Sequence, residues 1–218
     1  MPDKSFWNER WKKNELGFHA LDVNPHLQAY IEHLTPTKEE KILVPLCGKT
    51  LDLLYLSQRF GEVWGVEYIE KAAIDFFAEH NLDAACTELE YGKIYQAKNI
   101  HIVVADIFSF LENTSIQFDA LYDRASLIAL EEEPRKAYAQ KIQETLKPRA
   151  KVLLIALDYP QEQMPGPPFS VAPEEIDGHF EGSRRLTLLS RTNIIEKESK
   201  WRERGVSCIY ETVFTHTT

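Results

Sequence analysis

The chain of 218 residues carries 34 Asp and Glu residues against 25 Lys and Arg, a formal net charge of −9, and is 44% hydrophobic. Such a length supports one well-buried domain and is short for two, so we predict a single domain over residues 1–218. The acidic surface would repel phosphate backbones, which argues against nucleic acid as a partner. No apolar run approaches the ~20 residues that span a bilayer, which argues against a membrane protein.

The amino-terminal stretch MPDKSFWNERWKKNE is charged and aromatic, and it lacks the apolar core of a secretion signal. The three cysteines, Cys47, Cys86 and Cys208, are odd in number and widely scattered, and no Cys or His pair has the spacing of metal ligands. Reduced thiols, no metal ion and a cytoplasmic location are therefore expected.

The first predicted element is an amino-terminal helix within Ser5–Phe18. Trp7 and Trp11 are four residues apart and would share one helical face. Chain ends are ordered only when they are tied down, so we expect residues 1–20 to form a helical lid that a bound ligand orders. His19, at the end of this segment, is the histidine expected closest to the pocket.

The most informative stretch runs from Lys41 to Glu67. It predicts a strand, a tight turn, a helix and a second strand, at Ile42–Leu46, 47–49, Thr50–Phe60 and Val63–Val66. Glu67 follows Cys47 by twenty positions, the layout of a nucleotide-binding βαβ unit whose carboxylate binds a ribose diol. The turn contains one glycine instead of the glycine-rich sequence that seats a pyrophosphate. A ribose-bearing ligand without pyrophosphate, such as S-adenosylmethionine, therefore fits better.

Strand and helix signals continue to alternate along the chain. Further strands are predicted at Ile100–Ala105, Ala120–Tyr122 and Lys151–Leu157, and further helices at Lys71–His80 and Pro134–Leu146. Apolar runs without alternation indicate strands covered on both faces, and alternating strands and helices predict a doubly wound, parallel α/β sheet. Pro148 would follow the end of the last of these helices.

Two segments near the carboxyl end depart from this alternation. The loop Asp158–Ser170 contains four of the chain's eleven prolines and would be stiff. It follows the carboxyl end of a strand, the edge at which open α/β sheets bind ligands, and its Phe169 is a candidate for stacking on a substrate. Beyond it, two consecutive strands at Arg185–Arg191 and Gly205–Thr215 predict an antiparallel hairpin at the sheet edge.

Five stretches, FWNERW, LVPLCGKTLDLLYL, GVE, YDRASLIAL and DYP…GPPFSV, resemble in order the motifs of thiopurine S-methyltransferases, most closely the bacterial members. The resemblance runs from about Phe6 to Phe214. It implies a Rossmann-like class I methyltransferase with a seven-stranded, mostly parallel sheet. It also implies a monomeric enzyme that transfers the methyl group of S-adenosylmethionine to the sulfur of aromatic or heterocyclic thiols. Some bacterial members are associated with selenium and tellurium oxyanions, which become further candidate acceptors.

The resemblance implies which residues bind the methyl donor. Trp11 would cover it, with Trp7 packing in the core, and Leu46 would contact it through its backbone. Glu67 would hold the ribose hydroxyls. Asp106 and Ile107 fall where the adenine rests, although Asp106 could instead cap a helix.

Arg124 is the expected catalytic residue, and the resemblance places it where methyl donor and substrate meet, in contact with both. A guanidinium favours planar, charged partners; the alternative is an ordinary ion pair with a neighbouring carboxylate. A basic substrate contact near the carboxyl end corresponds to Lys200 or Arg202. Methyl transfer to a thiolate requires mainly positioning and desolvation, so no dedicated base is required, and we interpret Cys47 as a small buried residue rather than a nucleophile.

Other functions share parts of this pattern. A class I methyltransferase acting on another small nucleophile is the nearest alternative. A nicotinamide-dependent oxidoreductase would share the βαβ unit but needs the pyrophosphate cradle that the turn lacks. The fold would also suit a nucleic-acid or protein methyltransferase, or a non-catalytic adenosyl-binding regulator. Turnover on small thiols would distinguish a thiol methyltransferase from these alternatives.

Overall fold

The computed structural model describes residues 4–13, 20–124, 126–180, 184–197 and 199–216. These residues contain nine strands. In chain order they are β1 (Lys41–Pro45), β2 (Glu62–Glu67), β3 (Ala85–Leu89), β4 (Gly92–Ala97), β5 (Ile100–Val104), β6 (Phe118–Arg124), β7 (Leu146–Asp158), β8 (Thr187–Asn193) and β9 (Tyr210–His216). All nine lie in one sheet, in the order β3-β4-β5-β2-β1-β6-β7-β9-β8.

Eight α-helices accompany the sheet in the described ranges. They are α1 (Lys4–Lys12), α2 (Pro25–Tyr30), α3 (Asp52–Ser57), α4 (Glu70–Glu79), α5 (Ile107–Asn113), α6 (Glu132–Glu144), α7 (Pro173–Phe180) and α8 (Ser199–Glu203). Short 3-10 helices cover Ile31–Leu34, Leu127–Ala129 and Gln161–Gln163. Within these described helices, none is long and apolar enough to cross a membrane.

The centre of the sheet has the predicted doubly wound architecture. Strands β5, β2, β1, β6 and β7 are parallel neighbours, and β9 and β8 follow them as antiparallel partners. This arrangement confirms the α/β class, the mostly parallel centre and the carboxyl-terminal antiparallel pair. The connection between β8 and β9 is longer than a simple hairpin because it contains α8.

The predicted count of seven strands is wrong, because β3 and β4 form an additional antiparallel hairpin beside β5. Four of the five residues of β3 are exposed. An exposed edge hairpin has no need for a buried apolar run, which is the signal used to find the other strands. Its sequence therefore resembled a loop.

Strand β7 also differs from the prediction, because it begins at Leu146 rather than Lys151 and contains Pro148. Proline interrupts most strands because it has no N–H to donate. Here it lies in a stretch where the pairing of β6 with β7 is irregular, between the partners Leu146 and Lys151, and before β7 starts to pair with β9 at Val152. No regular ladder bond is lost.

The sheet is covered on both faces, as its unbroken apolar strands predicted. Leu43 packs into one buried cluster with helices α5 and α6. Its neighbours Ile42 and Val44 point the other way, into a second cluster formed with α2, α3 and α4. This double cover leaves the carboxyl ends of the parallel strands as the edge at which a ligand can reach the sheet.

Candidate active site

A cavity of about 580 Å³ opens at the carboxyl ends of the central parallel strands. This volume lies within the range of small-molecule sites. Its floor is formed by residues at or just beyond the ends of β1, β2, β5, β6 and β7, among them Leu46, Glu67, Ala105, Arg124 and Leu157. Its walls come from α1, from Pro167 and Pro168 of the proline-rich loop, and from the segment that carries α8.

The turn between β1 and α3 brings main-chain atoms to the cavity in an unusual conformation. Leu46 and Gly48 both have left-handed backbones, with φ of 47° and 54°. Glycine adopts this region freely, whereas a leucine does so at a cost of about 1–3 kcal/mol. The turn is tied to β2 because the N–H of Cys47 donates to the carbonyl oxygen of Val66 at 3.0 Å.

Glu67 is held in one orientation by the backbone around it. Its Oε2 accepts the N–H of Gly48 at 2.8 Å, and its Oε1 accepts those of Tyr68 and Ile69 at 2.7 and 2.8 Å. The side chain is buried, and this burial raises the pKa of Glu67 while the three hydrogen bonds oppose the rise. Since each carboxylate oxygen has two lone pairs, Oε2 retains one for a ligand hydroxyl.

Helix α1 lies over this turn. Trp11 is only 3% exposed and packs against Ile69 and Ala72. A Cβ atom added to Gly48 would lie 3.7 Å from its ring. Trp11 and Trp7 both line the cavity, so the interpretation of Trp7 as core packing alone is incomplete. The rest of the predicted lid, residues 14–19 with Phe18 and His19, lies outside the described residues.

The two residues predicted beside the adenine have different positions. Ile107 is buried and lines the cavity. The Asp106 carboxylate instead caps α5, where its Oδ1 accepts the N–H groups of Phe108 and Ser109 at 2.9 and 3.2 Å. Its side chain therefore takes the alternative role, and contact of Asp106 with a methyl donor stays a prediction.

The deep end of the cavity contains a network around Asp52, a buried residue at the start of α3. Asp52 Oδ1 accepts the N–H of Asn24 at 2.8 Å, and Oδ2 accepts the hydroxyl of Tyr122 at 3.0 Å. Arg124 Nη1 lies 3.9 Å from the same Oδ2. Burial and then the charge of Asp52 raise the pKa of Tyr122 well above its usual value. Arg124 thus lines the cavity and lies within ion-pair distance of Asp52, so its position is compatible with both roles, and its contact with donor and substrate stays a prediction.

The carboxyl-terminal wall places Lys200 and Arg202 differently, although contact of either with a substrate stays a prediction. Lys200 lines the cavity together with Trp201 and Arg204. Arg202 is absent from the described lining and pairs with Glu196. Phe169 is likewise outside the described lining, although its neighbours Pro167 and Pro168 contribute to it.

Cys47 lines the cavity as a buried thiol. Burial and the nearby negative charge of Glu67 raise its pKa well above the ordinary value, so the thiol stays protonated near neutral pH. This agrees with its interpretation as a packing residue. Among the described residues, no group of three or more His, Cys, Asp or Glu side chains could hold a metal ion.

Sequence reasoning missed Asp52 and Glu211, both of which line the cavity. Asp52 had a usable signal, because it is a lone acid at the start of the otherwise apolar helix DLLYLS. Glu211 had no such sequence signal, because a glutamate within a strand of mixed polarity is ordinary.

Known proteins with similar sequences identify the family of this chain. A model of the family Thiopurine S-methyltransferase (TPMT) matches residues 2–218. The thiopurine S-methyltransferase of Pseudomonas aeruginosa is 43% identical over 209 residues, which cover 96% of each chain. That of Vibrio parahaemolyticus is 40% identical over 215 residues, which cover 98% of each chain.

Solved structures extend the likeness to the fold. The 1,6-didemethyltoxoflavin-N1-methyltransferase of Burkholderia thailandensis, solved with S-adenosylhomocysteine, superposes with a TM-score of 0.64 at 12% identity, over 98% of this chain and 86% of that one. The geranyl diphosphate C-methyltransferase of Streptomyces coelicolor has a TM-score of 0.60 at 13% identity, over 88% and 76% of the two chains. At such identities the likeness shows the fold alone, which is Rossmann-like. The chain therefore belongs to the thiopurine S-methyltransferase family and is an S-adenosylmethionine-dependent methyltransferase, the enzyme class that its sequence predicted.

Proposed function

We propose that this enzyme transfers the methyl group of S-adenosylmethionine to the sulfur of an aromatic or heterocyclic thiol. The observation that carries the proposal is that one cavity contains both Glu67, a carboxylate fixed by three backbone N–H groups, and Arg124, a cation paired with Asp52. The two lie at the carboxyl ends of β2 and β6, on either side of β1.

The donor half of the proposed site fits an adenosyl group without a pyrophosphate. Glu67 offers the remaining lone pair of Oε2 to a ribose hydroxyl. Leu46 presents main-chain atoms, Trp11 covers the group, and Ile107 provides an apolar wall for the adenine. Methyl donation itself is the chemistry of the bound sulfonium.

The acceptor half fits a planar anion. Arg124, Lys200 and Arg204 line this part of the cavity together with Trp201. Guanidinium groups bind flat, charged partners well, and an indole face stacks on aromatic rings. Because Asp52 restrains Arg124, the guanidinium would hold a thiolate in one orientation relative to the methyl group, which is the main requirement of this displacement.

Several finer statements belong to the same proposal and rest on the sequence. They are a single domain over residues 1–218, a monomer in the cytoplasm, a reaction without metal ions, and a protein that acts on small molecules rather than nucleic acids or membranes. The relatives named thiopurine S-methyltransferase support a heterocyclic thiol as acceptor. Selenium and tellurium oxyanions are proposed as secondary acceptors on the family resemblance alone.

The test compares acceptors that share a ring system and differ in one atom. The purified enzyme is incubated with S-adenosylmethionine labelled in its methyl group and with 6-mercaptopurine, hypoxanthine or adenine, and then with thiophenol, phenol or aniline. Methyl transfer to the sulfur compounds alone is the expected result. Selenite and tellurite form a separate arm. Preferred methylation of an oxygen or nitrogen acceptor would overturn the thiol assignment in favour of another small nucleophile.

A further inference from the structure

One pair of ionisable residues at the cavity is used by neither half of the proposed site. Glu211, near the start of β9, lines the cavity. Its Oε2 lies 2.6 Å from Nε2 of His26, which is in the first turn of α2. The Glu211 and His26 side chains are 27% and 19% exposed, so solvent reaches both in part.

The register of the sheet places Glu211 on the same face as Arg124. Arg124 on β6 pairs with Ile155 on β7, and Leu157, two residues further along β7, pairs with Glu211 on β9. Directly paired residues share a face of the sheet, as do residues two apart in one strand. The two side chains therefore leave the same face, two strand spacings across the sheet and two residues along it, or about 12 Å apart. A ligand in the cavity can contact both.

Two groups of other ionisable residues line the cavity together with Glu211. Asp52, Tyr122 and Arg124 form their own network on the same side of the cavity. Burial and the charge of Asp52 are the main causes that raise the pKa of Tyr122, and the charge of Glu211 adds a smaller rise. Lys200 and Arg204 line the cavity as well.

The lining includes three carboxylates among the described residues, and they differ in their hydrogen-bond partners. Glu67 accepts three N–H groups, and Asp52 accepts from Asn24 and Tyr122. For Glu211 the described residues supply His26 alone. Of these three carboxylates, Glu211 therefore has the fewest described hydrogen-bond partners and the most lone pairs left for a ligand.

We propose that Glu211 accepts the proton of the substrate thiol and passes it to His26, an inference that rests on the proposed function. The S–H bond breaks, its electron pair stays on sulfur, and the proton goes to a Glu211 oxygen. His26, in the tautomer with its proton on Nδ1, then takes this proton at Nε2 and releases the Nδ1 proton to solvent. The new thiolate then bonds to the methyl carbon as the bond from that carbon to the sulfonium sulfur breaks, leaving its pair on the donor sulfur. The products are a thioether, S-adenosylhomocysteine and one proton.

This assignment widens the expected substrate class. A thiol that is already ionised at neutral pH needs no proton acceptor, whereas a weakly acidic thiol does. The pair would therefore extend the enzyme from acidic heterocyclic thiols to thiols that are protonated at the working pH, such as benzyl mercaptan.

The experiment measures kcat/KM at one pH for a series of para-substituted thiophenols and benzyl mercaptan, whose thiol pKa values lie on both sides of that pH. Wild type, Glu211→Gln and His26→Asn are compared. General-base catalysis contributes about 10²–10⁴-fold. We expect Glu211→Gln to lose on the order of 100-fold for the least acidic thiols, and the loss to shrink steadily as the thiol becomes more acidic. His26→Asn should show the same trend with a smaller loss.

Glu88→Gln is the matched control, because Glu88 is also a strand glutamate but lies on β3, outside the described cavity lining, with a 76% exposed side chain. Affinity for S-adenosylhomocysteine reports whether each variant folds with an intact donor site. If Glu211→Gln does not fold, the proposal is tested by whether the loss of kcat/KM in His26→Asn depends on the pKa of the thiol. An equal loss for all thiols, or no loss, overturns the proton-accepting role. A wild type that methylates no thiol overturns the proposed function, and this inference with it.

Discussion

The carboxylate of Glu67 accepts the backbone N–H of Gly48 at 2.8 Å, which joins the end of β2 to the turn that follows β1. The acid that would bind the ribose and the turn that would contact the donor are therefore one unit. A change to either residue alters the geometry of both.

Replacing Glu67 with Gln should weaken binding of S-adenosylhomocysteine. The amide group would turn an N–H donor towards backbone N–H groups that now donate to Glu67, and it would lose the charge that strengthens a ribose hydrogen bond. We expect a loss of about 1.5–3 kcal/mol in binding free energy, measured by titration calorimetry. Glu62→Gln, at the opposite end of the same strand, is the control. An unchanged dissociation constant for Glu67→Gln would mean that the acid does not contact the ligand.

Replacing Arg124 should reduce turnover more than donor affinity, because the acceptor loses its orientation while Glu67 keeps its hydrogen bonds. Arg124→Ala should lower kcat/KM for a heterocyclic thiol on the order of 100-fold. Arg124→Lys keeps the charge but loses the planar fork, so it should recover only part of this loss. The measurements are kcat/KM and S-adenosylhomocysteine affinity for each variant. Equal turnover in all three proteins would reduce Arg124 to a structural partner of Asp52.

Asp123 should make the fold less stable as pH rises from about 4 to 6. Burial raises its pKa to about 6, although the Tyr138 hydroxyl donates to it at 2.6 Å. Over this range the folded state keeps a proton that the unfolded state has released, so the free energy of unfolding falls with pH, by at most about 1.4 kcal/mol per pH unit from this one group. Above pH 6 this contribution is lost.

Urea unfolding at pH 4, 5, 6 and 7 checks this dependence. Asp123→Asn should flatten the slope between pH 4 and 6, whereas Asp177→Asn on the exposed side of α7 should leave it in place. The same slope in wild type and Asp123→Asn would contradict the prediction.

Helix α1 should become better protected when the donor site is filled. Trp11 and Trp7 line the cavity from this helix, so a ligand adds contacts to both rings. Hydrogen exchange with and without S-adenosylhomocysteine should show slower exchange over Lys4–Lys12. Peptides from α7, whose residues lie outside the described lining, serve as the reference. Identical exchange with and without S-adenosylhomocysteine would show that α1 is a fixed wall of the cavity rather than a lid.

The βαβ unit was predictable because its signals are local. Two apolar runs, a turn glycine at position 48 and an acid at the end of the second strand lie within the 27 residues from Lys41 to Glu67. Backbone geometry then places the turn and the acid together, since adjacent parallel strands end at the same edge of the sheet. Ile107 and Arg124, which the family resemblance indicated, lie after β5 and at the end of β6 and line the same cavity.

The deeper part of the site was not predictable, because its contacts join distant parts of the chain. Asp52 and Tyr122 are 70 positions apart, and His26 and Glu211 are 185 positions apart. Such contacts depend on strand order and register, which short patterns do not specify. The β3–β4 hairpin was missed for a different reason, since an exposed edge carries no apolar signal.

Because the backbone of Leu46 is left-handed, the residue that would make the fold most stable at this position differs from the residue that shapes the cavity. Glycine there would remove the conformational cost of about 1–3 kcal/mol, and it would also remove a side chain that lines the cavity. Selection for heat resistance alone would favour glycine at position 46, and selection for turnover would favour leucine. The chain has leucine at this position, so the shape of the cavity is kept here at a cost in the stability of the fold.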